Sequence, residues 1–128
     1  MSKISIIKKI QLGGARSFPL ENPDSELCFT FYCGNGAIKH KAVISWKSSN
    51  LLRLLIESDQ ISKNDLIENH VDKREYLEDL DRAFLYRYQI FDFKECNNNY
   101  LIIFDINEHR DYYGCFVYGV LQIQIDSA

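Results

Sequence analysis

The chain has 128 residues, 46 % hydrophobic and 26 % charged, with a formal net charge of −3. That is the size of one ordinary domain, so a single domain over 1–128 is expected, with enough apolar surface to exclude disorder and to need no disulfide or metal staple. The balance is uneven: residues 1–56 carry +5, residues 57–81 carry −6 and residues 82–128 carry −2.

Residues 3–12 alternate, with Ile4, Ile6, Ile10 and Leu12 on one side, which predicts a strand. The apolar run from Ile4 to Leu12 is broken by Lys8 and Lys9, which suits neither a signal peptide nor a membrane span. The expected location is therefore the cytoplasm, with no membrane partner. Gly13 to Ser25, with Pro19 and Pro23, reads as a loop. Residues 26–33 place Leu27, Phe29, Phe31 and Cys33 on one face. Gly34-Asn35-Gly36 then predicts a hairpin, because these residues accept positive φ cheaply. The returning strand, 37–46, puts Ile38, Ala42, Ile44 and Trp46 together.

Helical signals follow. Ser48, Ser49 and Asn50 are candidate caps for a helix over Leu51–Ile56, and Ser62-Lys63-Asn64-Asp65 has the capping form for a short helix over 63–69. The clearest periodicity predicts a helix over 72–85, with Tyr76, Leu77, Leu80, Ala83 and Phe84 as its buried stripe and Glu75, Glu78, Asp79 and Asp81 on its water side. Strands return over 87–94, 100–106 and 115–125, with a turn at Asn97-Asn98-Asn99 and a loop over 107–114. The last strand places Val117, Leu121, Ile123 and Ile125 on one face. The order β-β-β-α-α-β-β-β predicts an α+β fold: a mostly antiparallel sheet of about six strands with helices packed on one side.

Chemistry-bearing motifs are absent from the sequence. Cys28, Cys33, Cys96 and Cys115 show no C-x-x-C spacing and are expected to be reduced packing thiols. A zinc site from Cys28, Cys33 and His40 matches no ordinary spacing. His40, His70 and His109 fall in different settings, and no cofactor or nucleotide motif is present. His109-Arg110-Asp111 reads as a solvated turn. The lysines Lys8, Lys9, Lys39, Lys41 and Lys47, with His40, form a modest basic patch near Tyr32 and Trp46. The net acidity and the absence of an RNA-binding signature argue against direct nucleic-acid binding. The chain is expected to act by binding rather than by catalysis, with no cofactor and no metal.

The acidic segment 57–81 and the aromatic tail Asp111-Tyr112-Tyr113-Gly114-Cys115-Phe116-Val117-Tyr118-Gly119 are the features that point to a partner. In length, acidity, α+β pattern and this tail, the chain resembles the small immunity proteins of bacterial contact-dependent inhibition and related polymorphic-toxin systems. It is a likeness of pattern over the whole chain, not of a motif. The resemblance implies a stoichiometric complex that neutralises a protein toxin, and an acidic surface suits a basic one such as a nuclease. The residues expected to meet it are Glu75, Glu78, Asp79 and Asp81, with Tyr112, Tyr113 and Tyr118 as the second candidate surface. Two other readings stand beside this one. The first is a small enzyme or ligand-binding domain with a sheet-face pocket lined by Tyr32, His40, His109, Tyr112 and Tyr113. The second is a phage- or plasmid-encoded inhibitor of a nucleic-acid enzyme.

Overall fold

The computed structural model describes residues 3–34, 36–79, 86–108 and 111–126. The elements are β1 (Lys3–Lys9), β2 (Ser17–Leu20), β3 (Leu27–Tyr32), β4 (Lys39–Ile44), β5 (Asn50–Leu51), α1 (Leu52–Glu57), α2 (Lys63–Glu68), α3 (Arg74–Glu78), β6 (Arg87–Phe93), β7 (Asn98–Glu108) and β8 (Tyr113–Asp126). A six-stranded sheet runs in the order β1-β8-β7-β6-β5, with β2 pairing the first part of β8, and β3-β4 form a separate two-stranded sheet. Every strand pair is antiparallel. The fold is α+β, as the element order predicts.

The sheet is covered on both faces. Leu52 and Leu55 of α1, Leu66 and Ile67 of α2 and Leu77 of α3 pack with Ile4, Leu101, Ile103, Leu121 and Ile123 on one side. Phe29, Phe31, Ala42 and Ile44 of the hairpin pack with Ile10, Tyr100, Ile102, Phe104, Val117 and Val120 on the other. This is why β7 reads as a near-continuous apolar run: a strand buried on both faces has no polar side to alternate with. The hairpin layer is the part of the architecture that the element order alone does not announce.

Two bulges decide which core each residue joins. In the β7–β8 ladder Val117 opposes Phe104 and Gly119 opposes Ile103, so Tyr118 is the extra residue. An extra residue reverses the face parity of everything beyond it. Val117 therefore lies on the hairpin side while Leu121 and Ile123 lie on the helical side, which corrects their grouping on one face. In β1 the register shifts between Ile6 and Lys8. Ile4 and Ile6 face the helices, whereas Ile10 and Leu12 pack with the hairpin.

Other expectations are corrected locally. The loop over 13–25 contains β2, an edge strand opposite Gly114 and its neighbours, where Pro19 is tolerated because a sheet edge does not require every N–H. Of the helix expected over 72–85, Arg74 to Glu78 is helical and Asp79 is extended with φ −83° and ψ 106°, while residues 80–85 lie outside the described residues. Leu80, Ala83 and Phe84 of its expected stripe lie outside the described residues, as does Asn35 of the hairpin turn. Ser62 occupies the N-cap of α2, but its hydroxyl makes no capping bond, and α1 is capped by Leu51 rather than by a serine. Trp46 does not join the strand core. It is 45 % exposed, because β4 ends at Ile44 and the chain turns there.

The hairpin turn is fastened to the sheet at Gly34. Its N–H donates to the Tyr100 hydroxyl at 3.1 Å and its carbonyl accepts from Lys8 Nζ at 2.5 Å. A Cβ at this position would stand 2.2 Å from Gln122 Oε1, so the close approach uses the absence of a side chain. Among the described residues no helix is long and apolar enough to cross a membrane.

Candidate functional site

The helical layer buries Leu52, Leu55, Leu66 and Leu77 against the sheet and leaves Leu54 and most of its carboxylates outside. Glu57, Asp59, Glu68, Glu75, Glu78 and Asp79 are exposed, while Asp65 and Asp72 are half-buried. Two carboxylates are partly balanced on their own helices: Arg53 Nε lies 3.1 Å from Glu57 and Arg74 Nη1 lies 3.4 Å from Glu78. Both pairs are solvent-exposed, so each stabilises its helix by only a few tenths of a kcal/mol at most (about 0.3–0.5). Glu75, Glu78 and Asp79 thus share one short exposed segment, as the sequence suggests. Asp81 lies outside the described residues.

The aromatic tail does not form one surface. Tyr112 is exposed, just before β8. Tyr113 opens β8 and is half-buried against the hairpin core. Tyr118, at the bulge, turns to the helical side, where its ring packs edge-on to Tyr86 with centroids 4.8 Å apart. Its hydroxyl donates to Asp105 Oδ2 at 2.5 Å. Tyr118 is therefore committed to an internal bond, and among these tyrosines Tyr112 is the exposed one. Strand addition over 112–118 is also blocked, because β8 pairs β7 on one edge and β2 and β1 on the other.

Asp105 is buried beneath the helical layer, and Asn107 Nδ2 donates to its Oδ1 at 2.6 Å. Close by, the Tyr86 hydroxyl donates to Asp72. Burial pushes the Asp105 carboxyl above the usual carboxylate range and the Asp72 charge adds to this, while the bonds from Tyr118, Phe116 and Asn107 oppose it. Burial likewise raises Tyr118, helped by its bond to Asp105. The effect on stability follows from linkage. Below about pH 4, the unfolded Asp value, both states hold the proton and the contribution is fully present. As pH rises from there through the folded value, the unfolded state ionises first and stability falls. Asp105→Asn keeps an oxygen for Asn107 and an N–H that the Tyr118 hydroxyl can accept. Relative to this variant, the wild type is expected to lose stability as pH rises above about 4, read as denaturation midpoints of the two proteins side by side. Parallel curves would count against the buried carboxyl.

The hairpin turns its other face to water. Tyr32 pairs with Lys39, Thr30 with Lys41 and Cys28 with Val43, and all six are exposed. With Lys47 they form a basic strip that has no carboxylate between Leu27 and Lys47. His40 does not belong to this patch. Strand parity turns it inward, where it is 3 % exposed, stacks on Phe93 with centroids 4.1 Å apart and places Nε2 3.1 Å from Cys96 Sγ. Its position between Ile38 and Ala42 already carries that signal, but nothing in the sequence links it to Cys96.

All four cysteines are thiols, none of them in a disulfide. Cys33 and Cys115 are buried, and burial pushes the Cys115 thiol up to about 12, with Asp105 adding to it. Such a thiol is a packing residue. Cys28 is exposed, contrary to a packing role. It points away from Cys33 and His40, so these three do not converge. Among the described residues no group of three His, Cys, Asp or Glu side chains is arranged to hold a metal. The residues expected to line a sheet-face pocket are likewise separated: Tyr32 and His40 lie on opposite faces of the hairpin, Tyr112 and Tyr113 lie at the start of β8, and His109 is outside the described residues. The cleft at Tyr32, of 300 Å³, is lined by Gln11 to Ala15 and by hairpin residues including Phe29 and Lys39.

A second site missed by sequence reasoning is Arg87, which is 8 % exposed and turned toward the hairpin layer. Its Nε donates to Ser49 Oγ at 2.6 Å and its Nη2 to the carbonyls of Ser49 and Trp46 at 2.9 and 3.2 Å. The guanidinium lies over the Trp46 ring, 3.7 Å from its centroid. This explains why Ser49 does not cap α1: its hydroxyl accepts from a buried cation and donates to Trp46 O at 2.9 Å. No protein-family model, curated protein or solved structure matches the chain.

Proposed function

We propose that this chain is an immunity-type inhibitor, a cytoplasmic protein that binds a basic protein toxin in a stoichiometric complex and neutralises it. The observation that carries the reading is the segregation of charge across the sheet. The helical layer presents Glu57, Glu68, Glu75, Glu78 and Asp79 to water on one side, and the hairpin presents Lys39 and Lys41 on the other. An acidic face backed by a buried, well-packed core matches an enzyme with a basic, anion-binding site, and a nuclease is the clearest such target. Complementary charge steers association and fixes register. Inhibition of a nucleic-acid enzyme in a phage or plasmid setting uses the same face and differs only in its target.

The test takes the product of the gene adjacent to this one as the candidate toxin and measures its binding to the wild type and to Glu75→Lys/Glu78→Lys. At low salt the variant is expected to associate roughly ten-fold more slowly or worse, and moderate salt should shrink the difference by screening. Its folding stability should change by less than about 0.5 kcal/mol, since both side chains are exposed. An unchanged association rate at both salts would remove the acidic face and leave Tyr112 as the next residue to test.

A further inference from the structure

We propose that Cys96 is a nucleophilic thiol with His40 as its general base, and that it is the site at which the protein forms a mixed disulfide with a small disulfide. The pair joins two layers. His40 comes from the inner face of β4, and Cys96 from the turn between β6 and β7, where Asn97 adopts a left-handed φ of 57°. The imidazole is enclosed by Phe93, Phe31 and Tyr100, with centroids at 4.1, 5.6 and 5.7 Å. This cage fixes the ring and aims Nε2 at Sγ, 3.1 Å away. The Tyr100 hydroxyl stands 3.8 Å from the same sulfur and is itself held by the Gly34 N–H. Cys96 is only half-buried, and its neighbours Lys94, Glu95 and Asn97 are exposed. A base stands at the sulfur, which also lies 3.9 Å from the Phe93 carbonyl, and the turn that carries it is at the surface, the arrangement of an activated nucleophile.

With the ring proton on Nδ1, Nε2 takes the thiol proton as Cys96 Sγ attacks one sulfur of the incoming disulfide. A new S–S bond forms and the original one breaks. The departing sulfur leaves with the electron pair as a thiolate and receives the proton held by the imidazolium. One protein thiol and one disulfide become one mixed disulfide and one free thiol, with the small disulfide as oxidant. The other cysteines serve as internal references. Cys28 is more exposed than Cys96 but lies on the outer hairpin face, away from His40, while Cys33 and Cys115 are buried.

The experiment exposes the folded, full-length protein to oxidised glutathione near neutral pH and follows each cysteine by mass spectrometry after an acid quench. Cys96 is expected to acquire glutathione about ten-fold or more faster than Cys28, a modest share of what a positioned base supplies. His40→Asn should lower the Cys96 rate to that of Cys28 or below and leave Cys28 unchanged. The direction separates the two roles of the histidine: if it only packs, removing it loosens the turn and speeds Cys96. The proposal is overturned if Cys28 keeps pace with Cys96 in the wild type, or if His40→Asn leaves or raises the Cys96 rate. Should the variant lose its fold, modification of Cys33 and Cys115 would reveal it, and the wild-type ratio decides by itself.

Discussion

Replacing Phe104 with alanine is expected to destabilise the protein by about 3–5 kcal/mol, the usual range for truncating a fully buried phenylalanine. Phe104 is 0 % exposed and sits on β7, which pairs β6 on one edge and β8 on the other. It faces the hairpin layer, where the core includes Phe29, Phe31, Tyr100 and Val117. A close-packed interior held by ladders on both edges collapses poorly around a lost ring, so the cavity adds to the lost transfer energy. Chemical denaturation of the wild type and Phe104→Ala measures the difference. Ile106→Ala, two residues along the same face but only half-buried, should lose visibly less. A loss below about 1 kcal/mol for Phe104→Ala would mean that the hairpin does not close over this face of the sheet, since that is the range of a surface change.

The second large effect is expected at Arg87. Arg87→Met keeps most of the apolar stem but removes every donor. The Ser49 hydroxyl then loses its charged partner and the Ser49 carbonyl loses the guanidinium donor, while the Trp46 carbonyl keeps the Ser49 hydroxyl and N–H. Hydrogen bonds to charged groups contribute about 1.5–3 kcal/mol, and stranded buried acceptors keep their desolvation cost, so a loss of about 2–4 kcal/mol is expected. Stacking on Trp46 adds to it. The effect has an optical signature: Trp46 is the one tryptophan of the chain, so loss of the cation over its ring should shift the native emission spectrum. Arg53→Met, which breaks only the exposed pair with Glu57, should change stability by less than about 0.5 kcal/mol. Equal losses at the two arginines would contradict the buried bonding described for Arg87.

These positions differ in how much of them is legible in the sequence. Phe104 belongs to an alternation with Tyr100 and Ile102 that survives into the structure, because no bulge interrupts β7 on that stretch. Arg87 carries no local mark of burial. Its partners lie 38 and 41 residues earlier, and a charged residue in a strand reads as solvent-facing until its hydrogen bonds are known. The candidate binding face divides in the same way. Glu75 and Glu78 are placed by helical period alone. Tyr118 could not be placed so, because a one-residue bulge moves it to the face occupied by Asp105 and Tyr86.

The sequence by itself determined the elements that depend on near neighbours: the hairpin around Gly34 and Gly36, the short helix after Ser62, the chain reversal near Asn97, although Asn98 and Asn99 of the expected turn belong to β7, and the strands on either side of the helical block. Each follows from backbone preference or from side-chain period, which act over a few residues. The tertiary structure alone decided that the hairpin folds over the sheet as a layer of its own. It also decided that bulges at Ile7 and Tyr118 divide β1 and β8 between the two cores, and that His40 meets Cys96 across 56 residues. These outcomes depend on which surfaces bury each other when the chain closes, and an isolated pattern of two-residue or helical period carries no register between strands.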